Sequence, residues 1–224
     1  MKKESVFLKY NCIAILGGTF NPIHNGHIML AKKAIEQFED IEKVIVIPNN
    51  KPAYKGSNEI ISSKERIDMI KNAIEPFEFM DISDIEIKRG GITYTYDTLK
   101  QIYEINDKIK IYYIIGADSL FTFDKWYRYK DLLGMCTILA AKRKSDLTDM
   151  DSCVHMLRKE NSKTDIRIIN SHEMDISSSA IRKFILRYGK SDDKENIKRI
   201  EAYLDKRVPA LVKDYILKNN LYLN

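Results

Sequence analysis

Short apolar segments rich in β-branched residues alternate along the chain with longer amphipathic segments. The apolar segments are Cys12 to Leu16, Lys43 to Ile47, Ile82 to Ile87, Ile111 to Ile115, Thr137 to Ala141 and Ile166 to Ile169. Such an alternation predicts parallel strands that are buried on both faces and joined by crossover helices. We therefore expect an α/β fold, with a Rossmann-like open parallel sheet, helices on both faces and a small helical C-terminal end.

Helical patterns fill the intervals between these strands. The predicted helices are Ile28 to Phe38, one opened by Ser62 with Glu65 in a capping box, Tyr94 to Ile105, Asp149 to Lys159 and Ser178 to Tyr188. The tail from Glu195 to Leu217 predicts two more short helices, broken near Val208 and Pro209. No internal repeat or linker interrupts the pattern. We therefore expect a single domain over residues 1–224, with a core at about 10–185 and a helical extension at about 186–224.

Composition narrows the class of protein. Hydrophobic residues make up 44% of the 224 residues and charged residues 31%, which is typical of a globular chain. The net charge of +5 favours an anionic partner such as ATP, another nucleotide or nucleic acid. Cys12, Cys136 and Cys153 are far apart, which predicts neither a disulfide framework nor a thiolate zinc site. No signal peptide or long apolar run is recognisable, so we expect a cytoplasmic protein without a membrane partner.

The densest motif follows the first predicted strand and reads GGTFNPIHNGH, from Gly17 to His27. In open parallel sheets, ligands bind at the carboxyl ends of the strands. The two glycines permit close approach of the backbone to a ligand, and the helix start that follows favours a phosphate. His24 and His27 are three residues apart, so on a first helical turn they share a face and offer imidazole donors to one anion. The alternative for so short a motif is two surface histidines on a glycine-rich turn.

A second motif, ISSSAIR from Ile176 to Arg182, follows the last predicted strand and opens a helix. Its serine hydroxyls either cap the helix or donate to a phosphate, and Arg182 either counters phosphate charge or lies on the surface. A third motif, GADSL from Gly116, places a carboxylate at a strand end where it can accept ribose hydroxyls. Trp126, the one tryptophan, is either a core residue or a platform for a flat ring.

Taken together, these motifs resemble the nicotinate-nucleotide adenylyltransferase family of HxGH nucleotidyltransferases, and the resemblance extends over nearly the whole chain. It also covers GITYTYDTL from Gly91 and PNNKPAYK from Pro48. The resemblance implies transfer of AMP from ATP to nicotinate mononucleotide, giving nicotinate adenine dinucleotide and pyrophosphate in NAD biosynthesis. It also implies that Mg²⁺ arrives with ATP, without a dedicated metal site on the protein.

The resemblance assigns roles residue by residue. It implies catalytic roles for His24, His27 and Arg182. It implies ATP binding by Gly17, Gly18, Thr19, Phe20, Gly116, Asp118, Ser177 and Ser178. It implies acceptor binding by Asn49, Lys55, Thr95, Trp126, Tyr127 and Arg143. The sequence departs from the family at Tyr54, where histidine is usual, at Ser179, where threonine is common, and after Arg143, where Pro-Gly is missing.

Several alternatives stay open at this point. Within the same chemistry, the acceptor could be nicotinamide mononucleotide or phosphopantetheine, or the reaction could be cytidylyl transfer. A non-catalytic nucleotide- or RNA-binding protein is compatible with the positive charge, although we expect no nucleic-acid partner. Homo-oligomerisation is left open, and His155 and His172 are expected to be surface or structural residues.

Overall fold

The computed structural model describes residues 5–53, 60–142, 149–170, 176–189 and 193–223. Within these ranges the strands are β1 (Cys12–Gly18), β2 (Lys43–Pro48), β3 (Lys51–Pro52), β4 (Met80–Ile82), β5 (Ile92–Thr93), β6 (Lys110–Gly116), β7 (Thr137–Lys142) and β8 (Ile166–Asn170). Six of them form one parallel sheet in the order β4-β2-β1-β6-β7-β8, and β3 pairs with β5 separately. The predicted α/β class with an open parallel sheet is confirmed.

Helices connect the strands and form the C-terminal end. They are α1 (Asn25–Gln37), α2 (Ser63–Ile74), α3 (Ile85–Arg89), α4 (Thr95–Ile105), α5 (Ala117–Phe121), α6 (Tyr129–Met135), α7 (Asp149–Glu160), α8 (Ser178–Tyr188), α9 (Lys194–Asp205) and α10 (Ala210–Lys218). Short 3₁₀ turns lie at Ser5–Leu8 and Phe123–Lys125. The predicted capping box is confirmed, since Glu65 N–H donates to Ser62 Oγ at 3.2 Å and Ser62 N–H to Glu65 Oε2 at 2.9 Å.

The sheet is covered on both faces because successive side chains of a strand point to opposite sides. In β1, Ala14 and Leu16 belong to one core cluster, and Ile13 and Ile15 to the other. The first cluster includes buried side chains of α1, α2, α8, α9 and α10, so the C-terminal helices pack on the same face as α1. The C-terminal helices therefore belong to the same layer as α1, the helix that begins within the GGTFNPIHNGH motif.

One predicted strand is wrong in its extent. We expected a strand from Ile82 to Ile87, but β4 ends at Ile82 and Ile85 begins the short helix α3. Apolar residues at 82, 85 and 87 fit either element, and tertiary packing decides between them. β4 is an edge strand that pairs with β2 over three residues. Gly90 is the C-cap residue of α3, and its φ of +72° is accessible to glycine.

The topology places a crevice between β1 and β6. From β1 the chain runs outward through β2 to β4, whereas β6, on the other side of β1, leads outward through β7 to β8. At such a reversal of strand order, the crossover helices on either side leave an opening beyond the carboxyl ends of the strands. Among the described residues, no helix combines the length and apolar character needed to cross a bilayer.

Candidate active site

A cavity of about 1190 Å³ opens at the carboxyl ends of β1 and β6. Every described residue to which the family resemblance assigned a role lines it: Gly17, Gly18, Thr19, Phe20, His24, His27, Asn49, Thr95, Gly116, Asp118, Trp126, Tyr127, Ser177, Ser178 and Arg182. Lys55 and Arg143, like Tyr54 and His172, lie outside the described residues. The fold therefore gathers into one cavity residues that are up to 165 positions apart in the chain, from Gly17 to Arg182.

The two histidines meet as a stacked pair at the start of α1. His24 is the N-cap residue, and its backbone N–H donates to His27 Nδ1 at 3.2 Å. The ring centroids are 3.7 Å apart with an angle of 28° between the planes. The prediction that the two imidazoles converge on one face is confirmed, and the alternative of two unrelated surface histidines is excluded.

Burial of His24 and a hydrogen bond to His27 determine what the two rings present to the cavity. His24 is 7% exposed, and the loss of hydration lowers its pKa to about 4, so His24 is neutral near pH 7. His27 Nδ1 accepts a hydrogen bond, which places the proton of the neutral ring on Nε2. His24 therefore adds no fixed positive charge, and His27 contributes an oriented Nε2–H donor.

Two arginines hold the turn that precedes the histidines. Arg66 Nη1 donates to the carbonyl oxygen of Thr19 at 2.9 Å, and Arg182 Nη1 donates to that of Asn21 at 2.9 Å. Between these carbonyls lies Phe20, whose φ of +50° is in the left-handed region. Ser178 Oγ adds a third bond, to the carbonyl of Pro22 at 2.8 Å. Side chains of α2 and α8 thus fix a backbone conformation that a non-glycine residue rarely adopts.

The two glycines of the motif are required by the packing of the protein as well as by the approach of a ligand. A Cβ at Gly17 would collide with the hydroxyl of Tyr113, and one at Gly18 would lie 3.1 Å from the ring of Phe20. The Phe20 ring also packs edge-on against His27, with centroids 5.0 Å apart. A side chain at Gly18 would therefore displace the ring that supports the second histidine.

The start of α1 differs in one respect from expectation. We expected its N–H groups to face a phosphate, but the N–H of Asn25 donates to the carbonyl of Arg207 at 2.8 Å. The reason is tertiary, because the segment between α9 and α10 packs against this helix end. Ser177 likewise caps α8, with Oγ accepting from Ala180 N–H at 3.1 Å, which fits the capping alternative. Arg182 is half-buried, so the alternative of a surface arginine is wrong.

Asn49 and the GADSL segment flank the motif. Asn49 Nδ2 donates to Thr19 Oγ1 at 3.1 Å, and its backbone N–H donates to the carbonyl of Gly18 at 2.9 Å. Asn49 therefore joins the end of β2 to the glycine turn. Gly116 is the N-cap residue of α5, and Asp118 lies in the first turn of that helix, on the cavity wall.

The other end of the cavity is aromatic. Trp126 is half-buried and combines the two roles considered for it: its ring stacks on Phe123 at 5.0 Å, and it also lines the cavity. Tyr113 meets Trp126 edge-on at 6.2 Å, and its hydroxyl lies 3.3 Å from Thr95 Oγ1. Tyr127 is 48% exposed and packs against Tyr94 at 4.8 Å.

Sequence reasoning missed three residues of the site, namely Arg66, Glu86 and Tyr113. Arg66 is 1% exposed and shares the buried face of α2 with Met69 and Ile70. An arginine at an apolar position of the helical pattern was the available signal. Glu86 and Tyr113 lie within apolar segments and line the cavity. Polar groups within such segments are the feature that could have identified all three residues.

No group of three or more His, Cys, Asp or Glu side chains suited to a metal ion occurs in the part of the chain that the structure describes. The expectation that Mg²⁺ comes with ATP stays a prediction.

Comparisons with known proteins agree with this geometry. The cytidylyltransferase-like family model matches residues 15–184. A probable nicotinate-nucleotide adenylyltransferase from Dehalococcoides mccartyi is 35% identical over 213 residues, covering 93% of this chain and 95% of the relative. A protein of the same description from Lachnoclostridium phytofermentans is 36% identical, covering 94% and 98%.

Solved structures show the same fold. The chain resembles the Plasmodium falciparum nicotinic acid mononucleotide adenylyltransferase complexed with NaAD, with a TM-score of 0.73 and 24% identity over 95% of this chain and 98% of that one. A putative nicotinate-nucleotide adenylyltransferase from Vibrio parahaemolyticus aligns with a TM-score of 0.62 and 21% identity, covering 96% of each chain. Because the family model and the curated relatives span most of the chain, this protein belongs to the nicotinate-nucleotide adenylyltransferase family of nucleotidyltransferases.

Proposed function

We propose that the cavity binds ATP and nicotinate mononucleotide side by side and transfers the adenylyl group by direct displacement. A 5′-phosphate oxygen of the mononucleotide attacks the α-phosphorus of ATP, the bond from that phosphorus to the bridging oxygen breaks, and pyrophosphate leaves. The products are nicotinate adenine dinucleotide and pyrophosphate. The observation that carries the proposal is the stacked pair of His24 and His27 in one cavity with an aromatic pocket formed around Trp126.

At the histidine end, catalysis rests on positioned donors. The transition state of adenylyl transfer spreads negative charge over phosphate oxygens, and donors that are already oriented stabilise it without reorganisation. We assign this role to the Nε2–H of His27 and to His24 beside it. Arg182 adds a positive charge at the same wall, and Gly17, Gly18, Thr19 and Phe20 form the backbone against which the triphosphate lies. This arrangement needs no covalent enzyme intermediate.

Ribose recognition is assigned to the strand ends. Asp118 follows β6 directly, where a carboxylate can accept hydrogen bonds from ribose hydroxyls. Ser177 and Ser178 begin α8 beside the turn of the histidine motif, next to the expected phosphates.

At the aromatic end, the pyridine ring is proposed to stack on Trp126, with the hydroxyl of Thr95 near its carboxylate. One face of the Trp126 ring stacks on Phe123, so the ring is held in place before the substrate arrives. Asn49 and Tyr127 line the cavity and are assigned to the acceptor as well. Lys55 and Arg143 stay predicted contacts for the acceptor phosphate.

Magnesium is proposed to enter with ATP, held mainly by phosphate oxygens and water. A chelator should then abolish pyrophosphate release without changing the melting temperature of the ligand-free protein. A fall in that melting temperature would instead indicate a resident ion.

The proposed acceptor is tested by measuring pyrophosphate release from ATP with three acceptors offered separately: nicotinate mononucleotide, nicotinamide mononucleotide and phosphopantetheine. We expect the nicotinate compound to give the highest kcat/KM. A preference over the amide of less than about tenfold, or roughly 1.4 kcal/mol, would contradict selection of the acid. Faster reaction with phosphopantetheine would contradict the assignment of the aromatic end to a pyridine ring.

A further inference from the structure

Glu86 is a buried carboxyl group in the cavity for which the proposed mechanism has no use. It lies in α3, is 5% exposed and lines the cavity together with Thr95, Tyr113 and Trp126. A carboxyl group is rarely so deeply buried without a partner or a role. Its position at the aromatic end places it in the part of the cavity proposed to receive the pyridine ring.

The partners of Glu86 leave its charge only partly balanced. Thr98 Oγ1 of α4 donates to Glu86 Oε1 at 2.6 Å, and Arg89 Nη2 donates to Thr98 Oγ1 at 2.9 Å. Arg89 also donates from Nη1 to Gln101 Oε1 at 3.0 Å. Through these hydrogen bonds the guanidinium acts on the carboxyl across an intervening hydroxyl, instead of forming the forked contact that would hold it ionised.

Burial therefore governs the protonation of this group. It raises the pKa of Glu86 to about 7, against smaller lowering effects from the Thr98 hydrogen bond and the charge of Arg89. From β6, Tyr113 faces the carboxyl, and its own pKa is raised, chiefly by burial and also by the charge of Glu86. The groups that act on Glu86 are thus Arg89 in α3, Thr98 in α4 and Tyr113 in β6.

We propose that Glu86 sets the pH dependence of the choice between acid and amide, because it carries a proton whenever the carboxylate of the acid substrate occupies the Thr95–Tyr113 end of the cavity. The inference rests on the proposed function, which places the nicotinate carboxylate beside Thr95. Two carboxylates in one poorly hydrated pocket repel each other strongly, and a single proton relieves the repulsion. Nicotinamide mononucleotide carries no such charge and binds without this proton.

The acid and the amide should therefore bind with different proton uptake. Isothermal titration calorimetry of each mononucleotide, in buffers of different ionisation enthalpy between pH 6 and 9, measures that uptake. Both compounds carry the same 5′-phosphate, so its titration cancels in the comparison. Above pH 7 the acid should take up about one proton more than the amide, and the ratio of its Kd to that of the amide should rise about tenfold per pH unit.

Glu86→Gln removes the titrating group and keeps the shape of the side chain. In this variant we expect the difference in proton uptake to vanish and the ratio of the two Kd values to become independent of pH. Glu104→Gln is the matched control, because Glu104 lies on the exposed side of α4 and its loss removes the same charge. This control should behave like the unmodified protein.

The outcomes separate the inference from the proposed function. Equal proton uptake for acid and amide in the unmodified protein overturns the role of Glu86, even if the variant does not fold. The same holds if the extra proton persists in Glu86→Gln. In both cases the acid still binds, so the proposed function stands. Failure of the acid to bind at any pH removes the proposed acceptor, and the role of Glu86 is overturned with it.

Discussion

The two ends of the cavity are built in different ways. At the histidine end, polar groups from the turn after β1 and from α1, α2 and α8 are joined by hydrogen bonds of 2.8 to 3.2 Å, and the backbone between Thr19 and Asn21 is held on both sides. At the aromatic end, the walls are rings whose centroids lie 4.8 to 6.2 Å apart, with one buried carboxyl among them. Displacement at phosphorus requires donors in defined positions, whereas recognition of a flat ring requires a pocket of complementary shape from which water is excluded.

The ends nevertheless share one electrostatic principle. Burial lowers the pKa of His24 and raises the pKa of Glu86, and in both cases it favours the uncharged form. Burial thus opposes the charged form of one titratable group at each end, whereas the buried guanidinium of Arg66, which is 1% exposed, is held by the carbonyl of Thr19.

The largest effect is expected from His27→Ala, which tests the role assigned to the histidine end. Loss of an oriented donor should lower kcat for pyrophosphate release by about 10²- to 10³-fold, with little change in the KM values. Steady-state kinetics and circular dichroism test turnover and fold. His155→Ala, at an exposed position on α7, is the control and should leave kcat unchanged. Turnover within a few-fold of normal in His27→Ala would remove the pair from the mechanism.

The opposite pKa shifts predict opposite pH slopes of stability. The pKa of His24 falls from 6.5 to about 4, so its contribution is complete above pH 6.5 and is lost as the pH falls toward 4. The pKa of Glu86 rises from 4.5 to about 7, so its contribution is complete below pH 4.5 and is lost as the pH rises through 7.

These slopes can be isolated by urea denaturation between pH 4.5 and 7.5. The free energy of unfolding of Glu86→Gln relative to the unmodified protein should increase with pH, by up to about 3 kcal/mol. That of His24→Asn relative to the unmodified protein should instead increase as the pH falls, by a similar amount. Slopes of the same sign in both variants would contradict the shared principle.

A smaller effect is expected from Arg182→Met. The variant loses a positive charge beside the phosphates and leaves the Asn21 carbonyl without this donor, which should lower kcat by about 10- to 100-fold. Arg182→Lys keeps the charge, and its kcat should lie between those of the unmodified protein and Arg182→Met. Arg187→Met, on the exposed side of the same helix, is the matched control. Equal kinetics of Arg182→Met and Arg187→Met would mean that the histidine end works without this clamp.

The smallest effect is expected from Trp126, and it tests the role assigned to the aromatic end. Trp126→Ala removes the proposed stacking surface and should raise the KM of the mononucleotide about tenfold, with the KM of ATP unchanged. Trp126→Phe keeps a flat ring and should retain most of the affinity. A parallel rise in both KM values would show that Trp126 acts on the whole cavity rather than on the acceptor alone.

The sequence by itself determined much of this protein. Apolar periodicity located five of the six strands of the main sheet, and the motif from Gly17 to His27 located the histidine pair, because strand burial and helix starts depend on residues close together in the chain. The error from Ile82 to Ile87 arose where that local signal fits a strand and a helix equally well.

Only the tertiary structure decided which distant groups meet. Arg66 reaches Thr19 across 47 positions, and Arg182 reaches Asn21 across 161. The burial of Glu86, and with it the charge of the aromatic end, depends on α4 and β6 packing around α3. Periodicity records which face of an element is buried, but the partner and the hydration of a polar group on that face are set by elements far away in the chain.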